Sequence, residues 1–155
     1  CTNLLDESTA ANLVLRMKNG AVVDIGGGTT GISIFKDGEV VYIADEPTGG
    51  THFSLVVAGA YGKPFDEAEL FKRDETNHKE LRPVLQPVID KVSSIITNHV
   101  SGYPVEEISL VGGTCCFTGI EEMIEKRTGI YTHKPKNPMF VTPLGIALSC
   151  RQEEM

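Results

Sequence analysis

Residues Val22 to Ile43 read "VVDIGGGTTGISIFKDGEVVYI": an acid, three glycines and two threonines, then two β-branched runs split by Lys36-Asp37-Gly38. Gly26, Gly28 and Gly31 satisfy the G-x-G-x-x-G spacing of a dinucleotide-binding turn. That fingerprint needs a helix directly after its glycines, because the helix N-terminus must face the pyrophosphate. Here Gly31 runs instead into alternating residues, and Asp-Gly between two such runs signals a hairpin. Nor does an acid end a second parallel strand about 20 residues on, where ribose recognition needs one. The stretch therefore predicts strand, glycine turn, strand, hairpin turn, strand, over Ala21–Ile25, Gly31–Phe35 and Glu39–Ala44. The turn is expected to be a phosphate loop between two strands. Glycines at 26, 27 and 28 let backbone amides close on phosphate oxygens where a side chain would clash. Thr29 and Thr30 add hydroxyl donors, and Asp24 offers a carboxylate to a hydrated Mg2+.

Outward from this centre, "ESTAANLVLRM" (7–17) predicts a helix capped by Ser8 or Thr9 and ended by Asn19-Gly20. After the hairpin, Gly49-Gly50 lead at once into an apolar helix with Thr51 as expected N-cap, so its N-terminus is a candidate anion site. "FDEAELFKR" is a second short helix with Asp66 as its cap, and 74–79 reads as loop. Leu81, Leu85, Val88, Ile89, Val92 and Ile96 recur at helical spacing and form an expected core stripe. Pro83 suits the first turn of that helix, whereas Pro87 must bend it or mark a later start. "ISLVGG" is a strand ending in Gly112-Gly113, followed by a helix with Ile120 and Ile124 inward and Gly129 at its end. "TPLGIALSC" is a last helix with Pro143 in its first turn. Strands gathered at the front with helices after them indicate an α/β class with a mixed sheet.

The bulk composition narrows the chemistry. A chain of 155 residues suits one domain, or two small lobes sharing a sheet, and buries a core without disulfides. Its net charge of −7 argues against a nucleic-acid surface, yet backbone amides at a glycine loop hold an anionic nucleotide without net positive charge. Four cysteines without a C-x-x-C pair, and four scattered histidines, leave no zinc pattern and fit reduced thiols in a cytosol. No signal peptide or long apolar run is present, so the expectation is a soluble intracellular protein; the missing initiator Met suggests a fragment or processed piece.

With these elements in place, "DIGGGTTGISI" resembles the second phosphate motif of the actin/heat-shock-70/sugar-kinase ATPase superfamily. "DESTAA" (6–11) resembles its first connecting helix, with Glu7 matching an acid that helps hold the catalytic water. "PTGGTHFS" resembles the glycine pair near the nucleotide phosphates, and "AELFKR" supplies Glu69 and Lys72, similar to the pair that grips ribose and adenine. "LVGGTCCFTGIEEMI" resembles the adenosine motif through Gly112, Gly113 and Thr114, and "VTPLGIALSC" the second connecting helix. The resemblance covers nearly the whole chain and implies a ribonuclease H-like ATPase lobe, the C-terminal one (1–155), with a smaller helical subdomain within about 39–106. The superfamily's first phosphate loop has no counterpart. The heat-shock-70 loop has an acid where this chain has Gly31, which weakens cation coordination there, and Ser8 replaces a usual proline.

Within the superfamily the chain looks most like the EutJ-type, chaperone-like family of bacterial ethanolamine utilization; FtsA-type and MreB-type proteins fit less closely. That resemblance implies an ATP/ADP- and Mg2+-binding protein in the cytoplasm, linked to ethanolamine-catabolic enzymes or shell proteins of a bacterial microcompartment. Catalysis, if present, would use Asp24 and Glu7, and half a phosphate cage would hydrolyse ATP poorly. The alternative is a degenerate ATPase fold serving as a scaffold without nucleotide turnover.

Overall fold

The computed structural model describes residues 4–152; Cys1 lies outside them. The chain folds as α1 (Glu7–Leu15), β1 (Gly20–Ile25), β2 (Thr30–Lys36), β3 (Glu39–Glu46), α2 (Gly50–Tyr61), α3 (Phe65–Arg73), α4 (His78–Val100), β4 (Glu107–Val111), α5 (Ile120–Thr128), β5 (Tyr131–His133) and α6 (Pro138–Gln152). The five strands form one mixed sheet in the order β3-β2-β1-β4-β5. β1 runs antiparallel to β2 and parallel to β4, which places the ends of β1 and β4 side by side, Asp24 beside Val111.

The strand–turn–strand–hairpin reading of the opening stretch is what the chain adopts. Asp37 (φ 54°) and Gly38 (φ 84°) are both left-handed, as a tight two-residue hairpin turn requires. Alternation sends Ala21, Val23, Ile25, Ile32, Ile34, Ile108 and Leu110 to one face, where α2, α4 and α5 cover them. The α4 stripe is core as expected: Leu81, Leu85, Val88, Ile89, Val92 and Ile96 are buried. Pro83 and Pro87 both lie inside this one helix, on its exposed side, so Pro87 does not delay the helix start. The other face carries a smaller cluster, Val22, Phe35 and Val111 with Ala11, Met17 and Val141 of α1 and α6.

Local boundaries depart from the sequence expectation for identifiable reasons. Asp6, not Ser8 or Thr9, caps α1: its carboxylate accepts from Thr9 N–H at 3.2 Å, while Ser8 and Thr9 turn their hydroxyls toward Asp6 and Ser33. Gly49 takes the N-cap position expected for Thr51, because the turn presses onto the glycine loop. Pro64 precedes α3, and Asp66 sits in its first turn, where a carboxylate still favours the helix dipole. The stretch 74–79 is not all loop; α4 already starts at His78 after a 3₁₀ turn. α6 begins at Pro138, so Pro143 lies within it. β5 has three residues, too few to show an alternation in sequence. Among the described residues Cys115, Cys116 and Cys150 are free thiols, no His/Cys/Asp/Glu group is placed to cage a metal, and no helix is long and apolar enough to cross a membrane.

Candidate functional site

Where β1 and β4 end, the chain builds a cleft of about 610 Å3 whose lining includes Gly27, Gly50, Glu69, Lys72, Gly113 and Thr114. The glycine loop after β1 forms one wall. Its turn is closed by Gly26 N–H to Thr29 O at 3.0 Å, and among the described residues no acceptor takes the amides of Gly27, Gly28 or Thr29. Gly27 and Gly28 are exposed. Three unpaired amides on a glycine turn are an anion-binding arrangement. Thr30 is turned inward, its hydroxyl donating to Thr48 O at 2.6 Å, so it braces the loop and does not face a phosphate.

The second glycine turn is locked onto the first. Gly50 N–H donates to Gly26 O at 2.7 Å and Thr51 N–H to Gly27 O at 2.8 Å. A Cβ at Gly49 would lie 2.7 Å from Gly26 O, 2.8 Å from Gly27 O and 2.8 Å from Thr29 N, so this approach requires glycine. The first amides of α2, expected from the sequence to face an anion, are thus engaged by the glycine loop, and the free donors are the loop's own. Thr114 Oγ1 reaches the same Gly26 carbonyl at 3.1 Å, joining the third glycine turn to the other two.

The Glu69/Lys72 pair lies in the cleft wall but points toward α2. The Lys72 ammonium donates to Ser54 Oγ at 2.8 Å, Glu69 Oε2 at 3.1 Å and Gly50 O at 3.2 Å, which uses its three hydrogens. Glu69 also accepts from Ser54 and from Arg73 Nε at 2.9 Å. Burial is the leading influence on both groups. It wins at Lys72 and lowers its pKa, whereas at the more exposed Glu69 the hydrogen bonds of Ser54 and Lys72 prevail and hold the carboxyl below its usual range. His78 closes the far side: its Nε2 lies 2.9 Å from Lys72 O and its Nδ1 accepts from Thr118 N–H at 3.0 Å, with Phe117 stacked beside it. Phe65, Phe117 and Met139 supply an apolar lining that the sequence alone did not single out.

Asp24 is buried beneath Gly112, whose φ of 97° and close approach to Ile25 O (2.5 Å from a modest added Cβ) exclude a side chain. Asp24 accepts from Thr142 of α6 at 2.6 Å. Burial, with the nearby charges of Asp45 and Asp6, raises its pKa against the lowering effect of Thr142. Glu7, at the exposed first turn of α1, is likewise pushed up by burial and by Asp24, Asp45 and Asp6. Asp45 is an acid the sequence reading missed. It pairs across the ladder with Gly31, and its Oδ1 lies 3.8 Å from where a Gly31 Cβ would stand. The position that lacks an acid in this loop therefore has one opposite it on β3. Glu7 and Asp24 are brought to the same corner; the glycine turns and the α3 pair form the adjoining cleft.

Comparison with known proteins agrees with this geometry. The family model described as type IV pilus assembly protein PilM matches residues 7–141. Ethanolamine utilization protein EutJ of Salmonella typhimurium is 44% identical over 151 residues, 97% of this chain and 53% of that protein. The crystal structure of EutJ from Carboxydothermus hydrogenoformans superposes with a TM-score of 0.89 at 46% identity, covering 92% of this chain and 53% of that one. MreB5 of Spiroplasma citri bound to ADP superposes at 0.81 with 17% identity, over 96% of this chain and 59% of that one, and shares the fold. The chain spans about half the length of the curated relatives it matches. It belongs to the PilM-type family of the actin-like ATPase fold, with the ethanolamine utilization protein EutJ as a relative over nearly its whole length.

Proposed function

We propose that this chain is the C-terminal, nucleotide-binding half (1–155) of an EutJ-type protein that binds ATP or ADP with Mg2+ and acts as a chaperone-like component of ethanolamine catabolism. The observation that carries the reading is the set of unpaired amides at Gly27, Gly28 and Thr29, opening beside a 610 Å3 cleft with an apolar end. Phosphate oxygens fit the amides, and a purine fits between the Gly113–Thr114 segment and Phe65 and Phe117. Glu69 and Lys72 then meet the nucleoside by exchanging their present partners, and the region within about 39–106 forms the smaller helical subdomain.

The donor set suits magnesium held at a distance. Mg2+ keeps several waters and binds through one or two carboxylates plus substrate phosphates. Asp24 and Glu7, both pushed toward the protonated form by one another and by Asp45, gain from a cation at that corner. When bound, the ion neutralises phosphate charge. Asp24 orients its waters, Thr142 fixes the Asp24 carboxylate, and Glu7 supplies an acceptor for an attacking water. Water attack needs a phosphate cage on both sides, so this half alone hydrolyses ATP poorly. The protein works in the cytoplasm with ethanolamine-catabolic enzymes or microcompartment shell proteins as partners, a role that rests on the kinship with EutJ.

A second reading, an ATPase fold kept as a scaffold without turnover, is favoured by one observation: the α2 amides and the Lys72 ammonium are satisfied within the protein. Calorimetric titration with Mg-ATP, Mg-ADP and NAD separates the readings. ATP or ADP binding that an Asp24→Ala, Thr29→Ala variant loses supports the first. No binding of any nucleotide by this chain or by the longer protein supports the scaffold, and a preference for NAD overturns both.

A further inference from the structure

A second pocket, about 420 Å3, opens at the other end of the sheet, at the start of β1 and β4 and away from the glycine turns. It exists because α1 lies over β1 and β2 while α6 reaches β4 near Val111, leaving the β4–β5 corner of that face without a helix. Its walls are the 15–19 link on one side and Glu107, Ser109 and His133 on the other. Parallel pairing of Ser109 with His133 puts both side chains on this face.

The hydrogen-bond inventory of the pocket is one-sided. The acceptors are already occupied. Asn12 O takes Arg16 N–H at 2.8 Å, Met17 O takes the Asn12 amide at 3.0 Å, and Lys18 O takes Gly38 N–H at 2.9 Å. Asn19 Oδ1 takes Asp37 N–H at 3.1 Å, and Glu107 Oε1 meets His133 Nε2 at 2.6 Å. What remains unmatched can donate. The Ser109 hydroxyl is buried, 1% exposed, and has no partner. Among the described residues, the charged groups of Arg16 and Lys18 pair with no carboxylate, in a chain whose net charge is −7. A buried hydroxyl without a partner is costly, and two cations beside it define the complement as an acceptor of negative charge.

We propose that this pocket is an oxyanion site that takes a phosphate or carboxylate group borne by a larger molecule. Ser109 donates from the floor, Arg16 and Lys18 close over the group from the rim, and the Leu15 and Met17 side chains line the way in. The space exceeds what one oxyanion fills, so the group arrives on a side chain, a chain terminus or an ester. The site is independent of the nucleotide cleft and would stand if that cleft bound nothing.

The test is an amide-resolved NMR titration of this chain with sodium phosphate and, separately, sodium acetate. Saturable shifts at Lys18, Asn19, Ser109 and His133 are expected. Their midpoint should rise about tenfold, the loss of one charge-assisted contact, in Arg16→Asn, Lys18→Gln; Asn suits the left-handed backbone at position 16. Ser109→Ala should weaken binding while leaving the melting temperature unchanged or higher, since it removes an unpartnered hydroxyl. Stronger response to phosphate assigns the ligand to phosphate esters, and stronger response to acetate assigns it to acidic peptides. Shifts confined to Gly27–Thr29, absence of saturation with both salts, or an unaltered titration in both variants would overturn the site.

Discussion

The two faces of the sheet are built from the same strands and do opposite work. The face under α2, α4 and α5 takes an apolar residue from every inward position of β1, β2 and β4, and its cluster is continuous from Ile25 to Val100. The face under α1 and α6 takes a polar residue from each of these strands: Asp24 from β1, Ser33 from β2, Ser109 from β4. Its apolar cluster is small, and its helices are seated by contacts such as Ser8 on Ser33, Thr142 on Asp24 and Gly145 against the Ala10 backbone. Stability is concentrated on one side and chemistry on the other, with the glycine turns at the strand ends where the two meet.

The largest expected effect tests the stable side. Ile89→Ala empties a fully buried position of α4 and should cost about 2–5 kcal/mol in chemical denaturation. A cost near that of an exposed site would mean that α4 is not the principal cover of the sheet. Gly49→Ala comes next, since the added methyl group meets three backbone atoms of the glycine loop. A cost on the order of 1–3 kcal/mol is expected, together with loss of nucleotide binding by calorimetry; retained affinity would dissociate the second turn from the site.

On the polar face the sign reverses. Asp24 has a folded pKa raised above its unfolded value, so the folded state binds more protons and stability falls as pH rises through that interval. Asp24→Asn should therefore melt higher than the parent at pH 7, and the gap should close as pH drops below the unfolded carboxylate range. Nucleotide affinity should fall in the same variant, a trade of function for stability expected where charges are crowded for a ligand. A variant that melts lower at pH 7 would break the contrast between the faces. The smallest change calibrates it: Pro87→Ala, exposed on α4, should gain about 1 kcal/mol, below the roughly 3 kcal/mol intrinsic difference because the native backbone already accommodates the ring.

How much of this was legible depended on whether the signal was local. The glycine turn and hairpin were readable because Asp37-Gly38 sits between alternating runs, which excluded a helix and with it the dinucleotide-binding reading. The α4 stripe was readable over five turns despite two prolines. The cap of α1 was not, because Asp6, Ser8 and Thr9 are all competent caps and the choice depends on Ser33, contributed by β2. The direction of Lys72 depended on Ser54 and Gly50, and the contribution of Asp45 on its register with Gly31. Such contacts join residues far apart in sequence and leave no periodic trace.

The central claim is that the free amides of the glycine loop hold nucleotide phosphate. Amide hydrogen exchange of this chain with and without Mg-ADP tests it most directly. The account predicts slowed exchange at Gly27, Gly28 and Thr29 and across 112–118, with α4 unchanged. Unaltered exchange at the loop under saturating nucleotide, or protection that appears only elsewhere, would contradict it.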